Sequence, residues 1–370
     1  MFRRKLQIRK RGHPDYLIIA CLAILVVFGL AMLASASSNL GKIRFGDTYY
    51  YLKHQIMYGL SFGLVGFFLV SKIYYRRYEK LALVFLLIAI GLLALVFTPL
   101  GVDVKGATRW LSFGPITFQP AEIAKLAFII YLAAWLGKHL ERQKSFWQGL
   151  VPLLLVIALV TGLLLRQPAT STVVILIAIA LIVYFVSGAK LTHIAGVSLL
   201  ALAVLLMVIY LTPYRWDRIQ NFLEPESDLE AGGFHLNQAL IAIGSGGTLG
   251  VGYGESTTKI SYLPEPVGDS IFAVIAEELG FIGSSALIIV FLILILRLFI
   301  LANRTRDKFG QLLLVGFGSL LALQSFMHIA AISGLVPLTG TPLPFISYGG
   351  TALAVFMTMG GIAVNISKYT

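Results

Sequence analysis

The amino-acid sequence predicts an all-α polytopic membrane protein, a bundle of about ten transmembrane helices with a large extracytoplasmic loop between the seventh and eighth. Three observations lead there. Hydrophobic residues make up 58% of the 370 residues and charged ones 12%, with a mean hydropathy of +0.87, whereas a soluble domain carries roughly 25% charged residues. Apolar runs near the ~20 residues needed to cross hydrocarbon recur along the chain, and in lipid a long run must satisfy its own backbone, which selects helices. Lysine and arginine are unevenly shared between alternate loops, as in multi-pass proteins.

In chain order, residues 1–15 form a basic tail, with six basic residues in MFRRKLQIRKR. The first apolar run, 16–37, is too long and too polar at its end for a secretory signal, and no small-residue cleavage pattern follows it. It is read as a retained span, and Cys21 inside it is the chain's single cysteine. Further runs lie at 54–73, 80–99, 119–137, 148–166, 169–187, 190–212, 269–300, 311–333 and 345–367. Residues 16–367 are thus read as one ten-helix domain that includes the 213–268 loop. Run 269–300 exceeds the bilayer's need, so it tilts or begins with a turn outside the hydrocarbon.

Four polar stretches interrupt this pattern. In KGATRWLSFGPITFQPAEIAKL (105–126), Pro120 marks a first helical turn, and Glu122 and Lys125 share a helix face at i and i+3. They form either a buried structural ion pair or a cavity lining. The loop 213–268 contains FHLNQALIAI, a short amphipathic helix offering Phe234, Leu236, Leu240 and Ile241 to lipid or protein. Glycines at 244, 246, 247, 250, 252 and 254 follow. Without G-x-G-x-x-G spacing or a preceding strand they bind no dinucleotide, and they serve either close backbone approach or a flexible tip.

The stretch SYLPEPVGDSIFAVIAEELG (261–280) carries Glu265, Asp269, Glu277 and Glu278 into a span, where each charge costs roughly 2.5–3.5 kcal/mol. On a continuous helix Glu278 lies about 180° and Glu277 about 80° from Asp269, so the three do not serve one centre. Glu277 and Glu278 are read as satisfying partners in the bundle. Glu265, between Pro264 and Pro266, is rigidly displayed. PLTGTPLPFISYGGT (337–351) breaks helix geometry before the last span. A lone loop histidine such as His235 is read as a surface residue.

FQPAEIAKL, the run FLEPESD…GGFHLNQALIAIGSGGTLGVG…YLPEPVGDSIFAVIAEELG, and PLPFISYGG together resemble the SEDS family (shape, elongation, division and sporulation), the RodA and FtsW group, from about residue 20 onward. PFISYGG and GVGYGES lie nearer the FtsW branch. The resemblance implies a ten-helix glycosyltransferase of the bacterial inner membrane that polymerises lipid II into glycan strands, at the division septum or in elongation. It also implies that Asp269, opening the eighth span, is the essential residue. The family's usual Q-P-D-x-G-T sequence reads QPATST here, with Ala169 in place of the acid, so that aspartate's role does not carry over. The implied partner is a class B penicillin-binding protein, beside other division or elongation proteins.

The implied reaction needs a base for the acceptor hydroxyl, charge stabilisation for a departing polyprenyl pyrophosphate and a groove for its tail. Asp269 fits the base. Arg109, Lys125, Arg215, Arg218 and Lys259 are the available cations, and Glu122, Glu265 and Ser347 are further candidate substrate contacts. A divalent cation such as Mg2+ would share the charge work, although the sequence shows no metal-ligand pattern. The rival classes are a lipid II flippase, which moves the lipid without lengthening glycan, and a non-enzymatic scaffold that recruits the transpeptidase.

Loops on the side of the N-terminal tail hold nineteen basic residues and the opposite loops nine, which puts both termini in the cytoplasm. The net charge of +12 is therefore mostly topology, with anionic lipid headgroups as its counterpart. Nucleic acid is excluded as a partner, because the basic clusters hug the spans and no binding module accompanies them. A cysteine at Ser227 is expected to react with an impermeant thiol reagent from outside, and one at Ser145 only after the membrane is opened. Labelling of position 145 from outside inverts the topology.

Overall fold

In the computed structural model the described residues are 12–104, 106–114, 116–138, 142–223 and 232–370. The basic cluster at 1–11, Lys105 and the stretch 224–231 with Ser227 lie outside them. The elements run α1 (Tyr16–Phe45), α2 (Tyr50–His54), α3 (Ser61–Lys72), α4 (Arg76–Leu95), then strands β1 (Gly101–Val104), β2 (Ala107–Phe113) and β3 (Ile116–Phe118). After them come α5 (Pro120–Lys138), α6 (Val151–Arg166), α7 (Thr170–Ser187), α8 (Leu191–Tyr210), α9 (Pro213–Leu223), α10 (Gly232–Ser245), α11 (Thr258–Ser261), α12 (Ile271–Arg304), α13 (Lys308–Ile332) and α14 (Gly350–Ser367). Among the described residues ten helices are long and apolar enough to cross a membrane, and each overlaps a predicted run. The second span joins α2 to α3 through a π-helical turn, Gln55–Leu60, and the fifth begins with another, Phe146–Leu150.

The differences from the sequence reading have local causes. α1 continues past residue 37 to Phe45 and stops at Gly46, which takes a left-handed φ of 69° and donates to Lys42 O. α14 begins only at Gly350, because Phe345 holds a φ of 65° and the chain ahead of it is non-helical. The strands β1, β2 and β3 form a small antiparallel sheet in that order, which the helix count did not foresee. FHLNQALIAI is helical within α10, but its inward face is Leu236, Ala239 and Ala242, while Leu240 and Ile241 are exposed.

α13 is the hub: it packs against α5, α7 and α12, and most of its length is buried. α3 and α14 meet through small residues, as helices in lipid do: a Cβ on Gly63 would strike Met357, one on Gly66 Thr358, and one on Gly361 the Phe67 carbonyl. α8 sits at the other extreme, with only Val197 buried. One face of the bundle is tied by Gly12 N to Lys368 O (2.8 Å), Asp15 to Arg297 (2.7 Å) and Arg76 to Asp307 (2.5 Å).

The longest span is not one helix. At Gly280 the backbone of α12 turns to φ 65°, ψ −164° and breaks its ladder. The glycine-rich segment after α10 makes good the loss. Val251 N donates to Glu277 O (3.0 Å) and Gly252 N to Glu278 O (3.1 Å), while Phe281 N and Ile282 N donate to Gly247 O (2.9 Å) and Thr248 O (3.1 Å). Such proximity excludes side chains, since a Cβ on Gly246 would lie 2.0 Å from Ala276 O and one on Gly250 2.2 Å from Glu278 O. Gly246 and Gly250 therefore serve close backbone approach, whereas a Cβ on Gly244, Gly247 or Gly254 would meet nothing within 4 Å.

Gly250→Ala is expected to cost well over ~2 kcal/mol, because it meets backbone and needs a φ of 84°. Gly91→Ala, with nothing within 4 Å of its new Cβ, is expected to be neutral or stabilising by up to ~1 kcal/mol. Thermal inactivation of the two variants in detergent compares them; equal loss removes the interlock as a structural requirement.

Candidate active site

Opposite the face tied by Gly12 and Lys368, a cavity of about 520 Å³ is walled by α9, α10, the turn before α12, the end of α13 and the loop 338–341. α9 contributes Asp217, Arg218 and Asn221, α10 contributes His235, and the turn contributes Asp269. His328 and Ile332 come from α13, and Thr339, Gly340 and Thr341 from the loop.

The turn that carries Asp269 is built by its prolines. Between Pro264 and Pro266, Glu265 adopts a φ of 50°, and its carbonyl accepts from Gly268 N (3.1 Å) and Ser270 N (3.2 Å). Asp269 lies in this turn and Ser270 is the N-cap of α12, so the angular comparison with Glu277 and Glu278 does not extend to Asp269. The Ser270 hydroxyl donates to Pro264 O (2.6 Å), which leaves His235 Nε2 to donate to Ser270 Oγ (2.7 Å). His235 thus ties α10 to the residue after Asp269 and faces the cavity, contrary to the surface role read from the sequence. From the other side Ser347 Oγ donates to Gly268 O (2.9 Å) and accepts from Leu343 N (2.8 Å), and Tyr348 N donates to Val267 O (2.8 Å). Ser347 therefore clamps the peptide that presents Asp269.

Loop 338–342 covers Asp269 closely. Gly340, at φ 63°, has room for no side chain that ignores Asp269, whose Oδ2 would be 3.3 Å from a Cβ there. The carbonyls of the loop are held one by one: Leu338 by Arg218 (3.2 Å), Thr339 by Ser171 (2.7 Å), Thr341 by His328 (2.7 Å) and Pro342 by Gln324 (2.9 Å). Gln324 accepts in turn from Lys125 Nζ (2.7 Å), which pairs with Glu122 at 2.8 Å. Glu122 and Lys125 are 3% and 2% exposed and stand outside the cavity wall. Their arrangement matches the buried ion pair of the two readings, one that reaches the site through Gln324.

The remaining candidates are engaged elsewhere. Arg109 donates to Gln167 O and Pro168 O, both at 2.8 Å. These carbonyls precede Ala169, which occupies the N-cap of α7 without a side-chain cap bond. Arg215 donates to Thr170 Oγ1 (2.9 Å), Thr212 Oγ1 (3.0 Å) and Leu165 O (3.2 Å). Lys259 is buried against Glu278 (2.6 Å), Ser35 (2.8 Å) and Gly254 O (2.8 Å). Glu277 accepts from Ser256 Oγ (2.6 Å), Thr257 N (3.0 Å) and the Thr258 hydroxyl. These two glutamates do satisfy partners in neighbouring helices, Thr258 and Lys259 of α11 and Ser35 of α1, and Glu277 also accepts from Ser256 and Thr257 just before α11.

Of the nine candidate residues, then, Asp269 and Arg218 line the cavity. Asp217, Asn221, His235 and His328 also line it and were not selected from the sequence. Among the described residues no group of three or more His, Cys, Asp or Glu is placed to hold a metal ion. The chemistry here is two carboxylates, Asp217 and Asp269, and the Arg218 guanidinium lining one cavity, with imidazole, amide and hydroxyl groups around them.

The profile of the FtsW/RodA/SpoVE family, described as cell cycle protein, matches residues 15–370. The chain is 36% identical over 360 residues to the probable peptidoglycan glycosyltransferase FtsW of Geobacter sp. (strain M18), covering 97% of this chain and 98% of that one. It is 33% identical over 362 residues to stage V sporulation protein E of Bacillus subtilis (strain 168), covering 98% and 99%. Among solved structures, a chain of a peptidoglycan synthase complex that coordinates polymerisation and crosslinking superposes with a TM-score of 0.80 at 29% identity, covering 96% of this chain and 98% of that one. The rod shape determining protein RodA of Thermus thermophilus gives a TM-score of 0.71 at 27% identity, covering 96% and 98%.

Lys259→Met strands the Glu278 carboxylate in the bundle and is expected to cost about 3–5 kcal/mol, most of it regained in Lys259→Met/Glu278→Leu. Detergent thermal inactivation reads both. A single variant as stable as the parent, with weakened substrate affinity, moves Lys259 from packing to binding.

Proposed function

The chain belongs to the FtsW/RodA/SpoVE family, and on that premise we propose that it joins lipid II units into glycan at the cavity that holds Asp269. It is a multi-pass membrane protein and a peptidoglycan glycosyltransferase that acts in cell division or elongation. The reading of the site is carried by one observation: Asp269, on a turn fastened on both sides, lines a cavity that the Arg218 guanidinium also lines.

In the proposed step the acceptor sugar's hydroxyl oxygen attacks the anomeric carbon of the donor, and Asp269 takes the hydroxyl proton. The bond from that carbon to the pyrophosphate breaks, and the lipid pyrophosphate leaves with the electron pair. Asp269 precedes the first turn of α12, where the helix dipole favours its anion. Arg218, whose fork suits phosphate oxygens, takes up charge on the leaving group. A divalent cation finds no set of three protein ligands among the described residues, and no step is routed through one. Arg109, Arg215, Glu265 and Ser347 support the walls, and Glu122, Lys125 and Lys259 the bundle behind them.

We place both termini in the cytoplasm and loop 213–268 outside, at the division septum, and assign a class B penicillin-binding protein as the crosslinking partner. The basic asymmetry supports the first, and the second follows the superposed peptidoglycan synthase complex. Asp269→Asn keeps size and hydrogen bonding but loses the base, so lipid II polymerisation by the purified, folded protein with its transpeptidase is expected to fall ~10²–10⁴-fold. A near wild-type rate removes Asp269 as the base.

A further inference from the structure

Among the described residues that line the cavity, His328 has a buried side-chain nitrogen without a hydrogen-bond partner. It sits on α13, 2% exposed, with Nδ1 2.7 Å from Thr341 O. A carbonyl only accepts, so Nδ1 carries a hydrogen. Nε2 is buried and has no hydrogen-bond partner. Protonating it as well would leave a buried cation whose one partner is a peptide carbonyl, an arrangement that burial disfavours. His328 lines the cavity, and Nε2 keeps an unfilled lone pair within that wall. A buried polar atom left without a partner is costly enough that each one calls for an explanation.

The surroundings narrow what fills it. Ala331 and Ile332, which follow His328 on α13, add apolar lining, and the hydroxyls of Thr339 and Thr341 bond to each other at 2.9 Å. A phosphate oxygen, which only accepts, is repelled by the Nε2 lone pair. Sugars of peptidoglycan offer the complementary groups, acetamido N–H and ring hydroxyl, on an otherwise compact body.

Resting on the glycosyltransferase reading of this cavity, we propose that His328 Nε2 accepts a hydrogen bond from an N–H or O–H donor of a substrate sugar. His328 then takes the sugar, and Arg218 in the same lining is left to the pyrophosphate. His328 is a binding residue.

The test is a cycle of enzyme and substrate changes. His328→Asn keeps an N–H for the Thr341 carbonyl and removes the Nε2 acceptor; His328→Phe, which keeps the ring and has no acceptor, serves if that variant does not fold. Wild type and variant are assayed on lipid II, on an analogue with the 2-acetamido group replaced by 2-O-acetyl, and on a deoxy analogue lacking a ring hydroxyl. The expected result is a roughly 10-fold lower kcat/KM for the variant on lipid II, the scale of one hydrogen bond. One analogue should lower kcat/KM for the wild type by a similar factor and not for the variant. The O-acetyl arm identifies the N–H as the donor, the deoxy arm the hydroxyl. Equal kcat/KM of wild type and variant on lipid II, or losses that multiply for both analogues, overturns the proposal. Failure of the underlying reading shows separately, as a wild type that makes no glycan or an Asp269→Asn protein that polymerises normally.

Discussion

Hydrocarbon offers the peptide backbone no hydrogen bonds, and the break in α12 exists only because another stretch of chain supplies the missing ones. Residues 247–252 approach close enough to bond Glu277 O, Glu278 O, Phe281 N and Ile282 N. The same approach brings Ser256, Thr257 and Thr258 onto Glu277 and Lys259 onto Glu278. Two carboxylates that would be prohibitive on a lone helix become the pegs that seat the loop. The glycines, the acidic pair and the bend form one device, and the short segment from Ile271 to the bend carries the turn of Asp269 at its head.

A second chain of polar contacts reaches the same place from the opposite side. The ion pair Glu122–Lys125 holds Gln324, Gln324 holds Pro342 O, and loop 338–342 lies against Asp269. Buried ion pairs bring little net stability after desolvation, so their value here is positional. They fix a loop without secondary structure of its own at a depth where loose backbone is not tolerated. Intramembrane charge in this protein is spent chiefly on holding irregular chain, and the cavity inherits its shape from that.

All ten spans were legible because twenty apolar residues in a row have one solution in lipid, and the polar interruptions at 105–126, 261–280 and 337–351 did mark the segments around the site. What stayed hidden depended on neighbours distant in sequence. Lys259 reads as an available cation until Glu278 is seen beside it. His328 reads as one imidazole in an apolar helix, and only the fold shows Thr341 O against one nitrogen and nothing against the other. His235 had a weaker signal, since its own helix shows an apolar face, but its partner Ser270 is thirty-five residues away. The helical-wheel argument failed for a local reason: Asp269 precedes the helix. The strands at 101–118 are too short and glycine-punctuated to show a period.

The interface between α3 and α14 carries an implication for how the protein is made. Ser71 accepts from Asn365 across 294 positions, and the glycine contacts along these helices interlock the second span with the tenth. During synthesis the second span leaves the ribosome long before its main neighbour exists. It must wait in the bilayer with its small residues covered by lipid chains or by the insertion machinery, and the bundle closes only when the tenth span arrives. Assembly is thus gated by synthesis of the tenth span rather than proceeding hairpin by hairpin, and quality-control factors that survey half-finished membrane proteins have a long interval in which to act.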